Sequence, residues 1–197
     1  MSRTESDTRE KILKACLALL EEGAGSGIRM SDIAKRAGVS RQALYLHFQN
    51  RADLIIAATL LQDDAQGVEQ RLEASRQATT GRERLVSFVR AWCSFIPHMY
   101  PVARTILHLA EHDAEVERAW RKRMEDMREG CEAAIRALER DGTLSDAYDA
   151  ETATDLLWAM ISVRTWELLS RERQWADEKI VHHLETAATK LFCKAEQ

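Results

Sequence analysis

From Leu85 to Leu138 apolar side chains return every three or four positions, and nowhere in the chain does an alternating, period-two run stand out. That spacing suits helices and leaves no material for a sheet. Only two prolines and eight glycines interrupt 197 residues, and Ala, Leu, Glu and Arg are abundant, so the helices should be long. The expected fold class is all-α.

Punctuation places the helices. The first is expected from Asp7 to Glu22, with Asp7 and Glu10 as a capping box and Ile12, Ala15, Cys16, Leu19 and Leu20 on one buried face. "GAGSG" at 23–27 should end it. Met30, Ile33, Ala34 and Ala37 form a second short stripe, Gly38 stops it, and Ser40 is a good N-cap for a third helix carrying Leu44 and Phe48. A fourth is expected from Arg51 to about Ala74. The next stripe should end or kink at Pro97, and Pro101 should open a further helix running to about Glu111. Asp113 then caps a long helix that Gly142 closes. Two helices follow, at about 149–170 and 176–194.

Several function classes drop out. No apolar run approaches the roughly 20 residues that cross a bilayer, and the polar start "MSRTESDTRE" lacks the apolar core of a signal peptide. The expected setting is cytoplasmic, with no membrane partner. Cys16, Cys93, Cys131 and Cys193 form no C-x-x-C pair and read as small buried hydrophobes. There is no Gly-rich phosphate loop, nucleophile elbow or assignable pair of carboxylates, so no enzyme and no cofactor is expected. The rival from the enzyme class is a helical metal-dependent hydrolase on His108, His112 and Asp113, since two histidines four apart on a helix can hold zinc. A helical adaptor without nucleic-acid binding is the other alternative.

The formal charge is −4, yet it is unevenly spread. Residues 1–51 hold nine Lys or Arg and six Asp or Glu, and the remainder holds 19 and 26. A modestly basic head on an acidic body suits a protein whose head alone meets phosphates. Within that head, "SDIAKRAGVSRQALYLHF" at 31–48 places two short helices across a tight turn. With Met30, Ile33, Ala34, Ala37, Leu44 and Phe48 inward and Val39 plugging the joint, Arg41, Gln42 and Ala43 face out at the start of the second helix. That is helix-turn-helix geometry, whose second helix enters the major groove of double-stranded DNA. Arginine can pair bidentately with guanine and glutamine with adenine, and Ala43 can touch a thymine methyl. Tyr45, His47 and Arg51 are then placed for phosphates, and free amides at the helix start after Asn50 offer another anion site.

The segment "IRMSDIAKRAGVSRQALYLHFQNRADLI" resembles the DNA-binding segment of the TetR/AcrR family of transcriptional regulators, through Ile33 and Ala34, "AGVS" at 37–40, "LYLHF" at 44–48, and Arg51 with Leu54. The resemblance covers about residues 7–58. It implies about nine helices: a helix-turn-helix domain at 1–50, and a helical ligand-binding and dimerisation domain at 51–197. It also implies a dimeric repressor that leaves palindromic DNA when a small molecule binds the body. Carried over, base contacts fall on Arg41, Gln42 and Ala43, phosphate contacts on Tyr45 and His47, and Arg51 stands where a lysine commonly touches the backbone. Arg29 replaces the usual capping Thr or Ser, so helix 2 should start less firmly, with Arg29 itself a candidate for a phosphate. Ser40 completes the DNA-binding set as the cap of the reading helix.

For the effector, aromatics and methionines with a few polar groups suit an adaptable apolar cavity between helices 4 to 8. Candidates are Phe88, Trp92, Phe95, Trp120, Met124, Met127 and Trp158, with His98, His108 and Arg164 as polar anchors. The helix at 149–170 is apolar nearly all round, and a second copy should cover it together with the last helix. The expected dimer residues are Trp166, Ile180, Leu184, Ala187 and Leu191.

Overall fold

The computed structural model describes residues 3–23 and 28–195. All of its regular structure is helical, apart from an isolated antiparallel bridge between Leu144 and Cys193. The helices are α1 (Arg3–Glu21), α2 (Met30–Ala37), α3 (Arg41–His47), α4 (Arg51–Ala65), α5 (Val68–Arg76), α6 (Gly81–Ala110), α7 (Ala114–Arg140), α8 (Ala150–Met160), α9 (Val163–Glu167) and α10 (Asp177–Phe192). One π-helical turn, Leu168–Glu172, follows α9. Among the described residues these make nine helices when α8 and α9 are taken as two pieces of one interrupted helix.

Two compact units share the chain. The first comprises Met1–Gln66 and Met99–Met124, and the second Gly67–His98 and Glu125–Gln197. In the first, Ile12, Cys16 and Leu20 of α1 meet Ile33, Leu44 and Ile55 in one continuous core. This is the face that the i, i+3, i+4 spacing in α1 supplies. Residues of α6 and α7, among them Val102, Ile106 and Val116, close the same core. In the second unit the α6 residues Leu85, Val89 and Ile96 and the α7 residues Cys131, Ile135 and Leu138 are buried, as are Leu157, Ile180, Leu184 and Phe192. Gly81, at the start of α6, lies so close to the end of α7 that an added Cβ would stand 2.5 Å from the Leu138 nitrogen. Its amide donates to Asp141 Oδ2 at 2.5 Å.

Four expected boundaries are corrected. The first helix begins at Arg3, so Asp7 is not its cap, and Glu10 pairs with Lys14 at 2.6 Å instead. The helix does end near the glycine signal, with Gly23 at φ +69°, while residues 24–27 of that signal lie outside the described residues. The long helix after Arg51 is divided at Gly67, which takes a φ of +67° between α4 and α5. Neither Pro97 nor Pro101 ends α6, which is unbroken for 30 residues. Their spacing of four puts both prolines on one side of the helix. Pro101 is exposed and Pro97 half-buried, and the helix runs through both although each lacks the amide that would close its own turn.

The helix expected over 149–170 is interrupted at Ile161 and Ser162. Ser162 becomes the N-cap of α9, its hydroxyl accepting from Thr165 N at 3.2 Å, and Thr165 Oγ1 returns a bond to Ala159 O at 3.0 Å. The Ile161 carbonyl accepts from Trp92 Nε1 at 3.0 Å, which satisfies a group that the break would otherwise orphan.

Candidate nucleic-acid interface

The head is built around two capping events. Gly38 ends α2 in the left-handed conformation, at φ +69°, and its amide bonds back to Lys35 O and Ala34 O. The next amide, of Val39, donates to Ala34 O at 3.0 Å, which closes a tight turn. Ser40 Oγ then accepts from Ala43 N at 3.0 Å and starts α3 at once. Leu44 is fully buried and Phe48 nearly so, which fixes how α3 is rotated against α1 and α2. The short connection and the buried side chains leave the opposite side of α3 in solvent.

On that side stand Arg41, Gln42 and Tyr45, all exposed, with Ala43 and His47 half-buried beside them. The Arg41 guanidinium lies over the Tyr45 ring, 5.7 Å from its centroid. The α3 sequence RQALYLH has no acidic residue to repel a phosphate. Arg29 is exposed at the head of α2 and gives no side-chain cap there, in line with the missing hydroxyl. Asn50 caps α4 by accepting from Asp53 N at 2.9 Å, and its amide nitrogen meets Asp53 Oδ2 at 2.7 Å. One of the amides expected to hold an anion at the start of α4 is therefore taken by Asn50, with the Asp53 carboxylate beside it.

Arg51 stands apart from the other predicted contacts. Its Nη2 reaches Asp113 Oδ1 at 2.6 Å and Glu115 Oε2 at 3.1 Å, and its Nη1 donates to Ile28 O at 3.0 Å. The side chain is only 17% exposed. The expectation of a backbone phosphate contact meets a guanidinium already held by three protein acceptors. Asp113 has a second task, since its Oδ1 also accepts from the Glu115 and Val116 amides at the start of α7. His108 and His112 are exposed, and among the described residues no three His, Cys, Asp or Glu side chains converge as a ligand set.

The residues expected to line an effector cavity are distributed differently. In the second unit Phe88, Trp92, Phe95 and Met127 are buried, and they pack rather than line a void. The Phe88 ring lies against Gly130, where an added Cβ would come within 2.7 Å of it. Trp92 and Phe95 pair at 6.1 Å between ring centroids. Trp158 is half-buried, His98 is exposed, and Arg164 is exposed and 3.8 Å from Glu167. In the first unit Met124 is buried, and Trp120 does border a cavity, of about 20 Å³. Its other walls include Ile55, Thr59, Gln62, Met99 and Ile106. At its edge Arg123 forms an ion pair with Asp63, both largely buried. Sequence reasoning missed Thr59, Gln62 and Asp63; polar residues interrupting the buried stripe of α4 were the available signal.

The five expected dimer residues also divide. Trp166, Ile180 and Leu184 are buried within their own unit, Ala187 is half-buried, and only Leu191 is well exposed, at 42%. Leu156 of α8, which sequence reasoning did not single out, is similarly exposed at 43%.

A tight helix-turn-helix, with its second helix turned outward from an otherwise all-helical chain, defines a DNA-binding regulator of the helix-turn-helix class. The family model for bacterial regulatory proteins of the tetR family matches residues 12–58. The chain is 25% identical over 189 residues to the HTH-type transcriptional regulator TtgR of Pseudomonas putida, covering 87% of this chain and 89% of that protein. It is 26% identical over 209 residues to the HTH-type transcriptional repressor BepR of Brucella suis, covering 92% and 90%. The fold is shared with the transcriptional regulator FadR of Bacillus subtilis in complex with stearoyl-CoA, at a TM-score of 0.71 and 17% identity, over 92% of this chain and 98% of that one. Residues 12–58 thus match the DNA-binding segment of the tetR family of bacterial regulatory proteins, and over most of its length the chain is similar to HTH-type transcriptional regulators.

Proposed function

We propose that this protein is a ligand-responsive repressor that binds palindromic operator DNA as a homodimer and is released by a small molecule. The observation that carries the reading is α3 itself: capped by Ser40, anchored by Leu44 and Phe48, and offering Arg41 and Gln42 to solvent with no acidic neighbour on the helix. Arg41, Gln42 and Ala43 are assigned to base edges, and Tyr45, His47 and Arg29 to phosphates. Arg51 is left out of the DNA set. Residues 1–50 form the DNA-binding part and residues 51–197 the sensing and dimerising part. Two copies pair through α8 and α10, where Leu156, Ala187 and Leu191 supply apolar surface. The effector enters beside Trp120, where Thr59, Gln62 and the Asp63–Arg123 pair give an otherwise apolar cavity its polar marks. The small cavity must widen to admit it, and the shift away from DNA is bounded by the effector's preference for the widened state. Such a regulator acts in the cytoplasm.

TtgR and BepR are themselves transcriptional regulators, and FadR holds an acyl-CoA. Selection of bound sequences from random duplex DNA tests the reading. A recovered inverted repeat, with half-sites about one helical turn apart or somewhat more, is the expected result. Recovery of no preferred sequence, or of an unrepeated site bound by a monomer in sedimentation, would overturn it.

A further inference from the structure

Among the described residues Leu46 is 83% exposed, whereas the next most exposed large apolar side chain, Leu168, is 52% exposed. It sits two residues after Leu44, which is fully buried. Two helical steps are about 200°, so Leu46 points almost directly away from the core of the head. It lies four residues after Gln42 and three after Ala43, on the side of α3 assigned above to base edges. A leucine in this position contributes nothing to the packing of its own unit, and it has neither donor nor acceptor with which to hold a phosphate or a base edge. The apolar feature on a major-groove edge is the C5-methyl group of thymine.

We propose that Leu46 is a specificity-determining residue that reads a thymine methyl in each half-site, one helical turn along α3 from the Gln42 contact. The assignment rests on the DNA-binding reading of α3. Burying one methyl against a side chain is worth roughly fourfold in affinity, and a symmetric site presents it twice, for roughly 15-fold in all. Leu46→Ala retains the fold, because alanine favours helix and the side chain removed is solvated.

The test uses the full chain and the duplex recovered by selection from random DNA, prepared with each thymine replaced in turn by deoxyuridine, symmetrically in both half-sites. Deoxyuridine keeps the Watson–Crick face and removes only the methyl. Apart from any pair that Ala43 touches, the unaltered protein is expected to lose roughly 15-fold at one symmetric pair of positions. Leu46→Ala is expected to bind the thymine and deoxyuridine duplexes equally at that pair, while retaining the base preference that Arg41→Ala abolishes. An unaltered thymine-to-deoxyuridine ratio in Leu46→Ala overturns the proposal. So does a uniform loss at every position, which would put Leu46 against sugar and phosphate, or an unchanged affinity, which would make Leu46 a surface for another protein. A half-site without thymine overturns it as well. If no sequence is recovered at all, the DNA-binding reading fails first, and the two failures are told apart at the selection step.

Discussion

Arg51→Met removes a guanidinium from two carboxylates and a carbonyl while keeping most of the apolar stem. Two opposite charges about 4 Å apart at an effective dielectric near 20 attract by about 4 kcal/mol, and desolvation takes back part of that. Exposed pairs measure below about 1 kcal/mol and fully buried pairs cost about 3–5 when one partner is removed. The side chains of Arg51 and Asp113, 17% and 24% exposed, fall between these limits. The charge-assisted bond to Ile28 O is lost as well. We expect a loss of about 2–3 kcal/mol in urea unfolding followed by far-UV circular dichroism. Asp113→Asn is the informative partner, because asparagine still accepts the α7 amides while the charge is gone. Its cost should be smaller, since Glu115 remains 3.1 Å from Arg51, and the double-mutant cycle should return a coupling of about 1 kcal/mol. DNA titrations across salt concentrations complete the test. A lost phosphate contact lowers the salt slope by about 0.9 per contact, so Arg51→Met should leave the slope where it was. Stability within about 0.5 kcal/mol of the parent, together with a slope reduced by about two contacts, one for each copy of the dimer, would refute the assignment of Arg51 to the protein interior.

Ser40→Ala deletes the only side-chain cap of α3 and should lower stability by about 1 kcal/mol; Ser40→Asp, which can accept the same amide, should restore stability in urea yet weaken DNA binding through its charge. Gly81→Ala should destabilise by more than about 3 kcal/mol, because backbone rather than a movable side chain stands 2.5 Å from the new Cβ; a thermal melt shows whether the α6–α7 approach yields. Burial pushes the Cys16 and Cys93 thiols up to about 12, from an ordinary 9.0. Below pH 9 both folded and unfolded chains keep these thiols neutral; between pH 9 and 12 the unfolded chain alone ionises, so stability should fall as pH rises through that window. Cys16→Ala should flatten the alkaline fall, whatever it costs at neutral pH.

Helix positions were legible because each stripe faces a core that the same helix helps to build. The head was legible in more detail, since its turn is local chemistry: Gly38 and Ser40 act on amides within five residues of themselves. The rest failed where a local signal had more than one outcome. Asp7 could cap a helix or lie within one, and the polar residues before it continue α1. Pro97 and Pro101 could end a helix or lie within one, and α6 runs through both. Arg51 carried no mark of its partner, because Asp113 lies 62 residues away. Phe88, Trp92 and Phe95 have the same spacing whether they line a cavity or fill one, and the neighbours they meet, such as Gly130 and Ile161, are distant in sequence. The stripe of α10 was legible as buried, but its spacing does not say which of its residues are covered by their own unit, as Ile180 and Leu184 are, and which stay open, as Leu191 does.

The gap at Ile161 and Ser162 acts as a rotational reset. In an unbroken helix the positions sharing a side with Leu157 and Ile161 would be 164 and 168, and Arg164 and Leu168 would be driven inward. After the gap the inward positions are Val163 and Trp166, while Arg164 and Leu168 meet solvent. A substitution that healed the gap would therefore alter one side chain and still turn this stretch of the chain inside out.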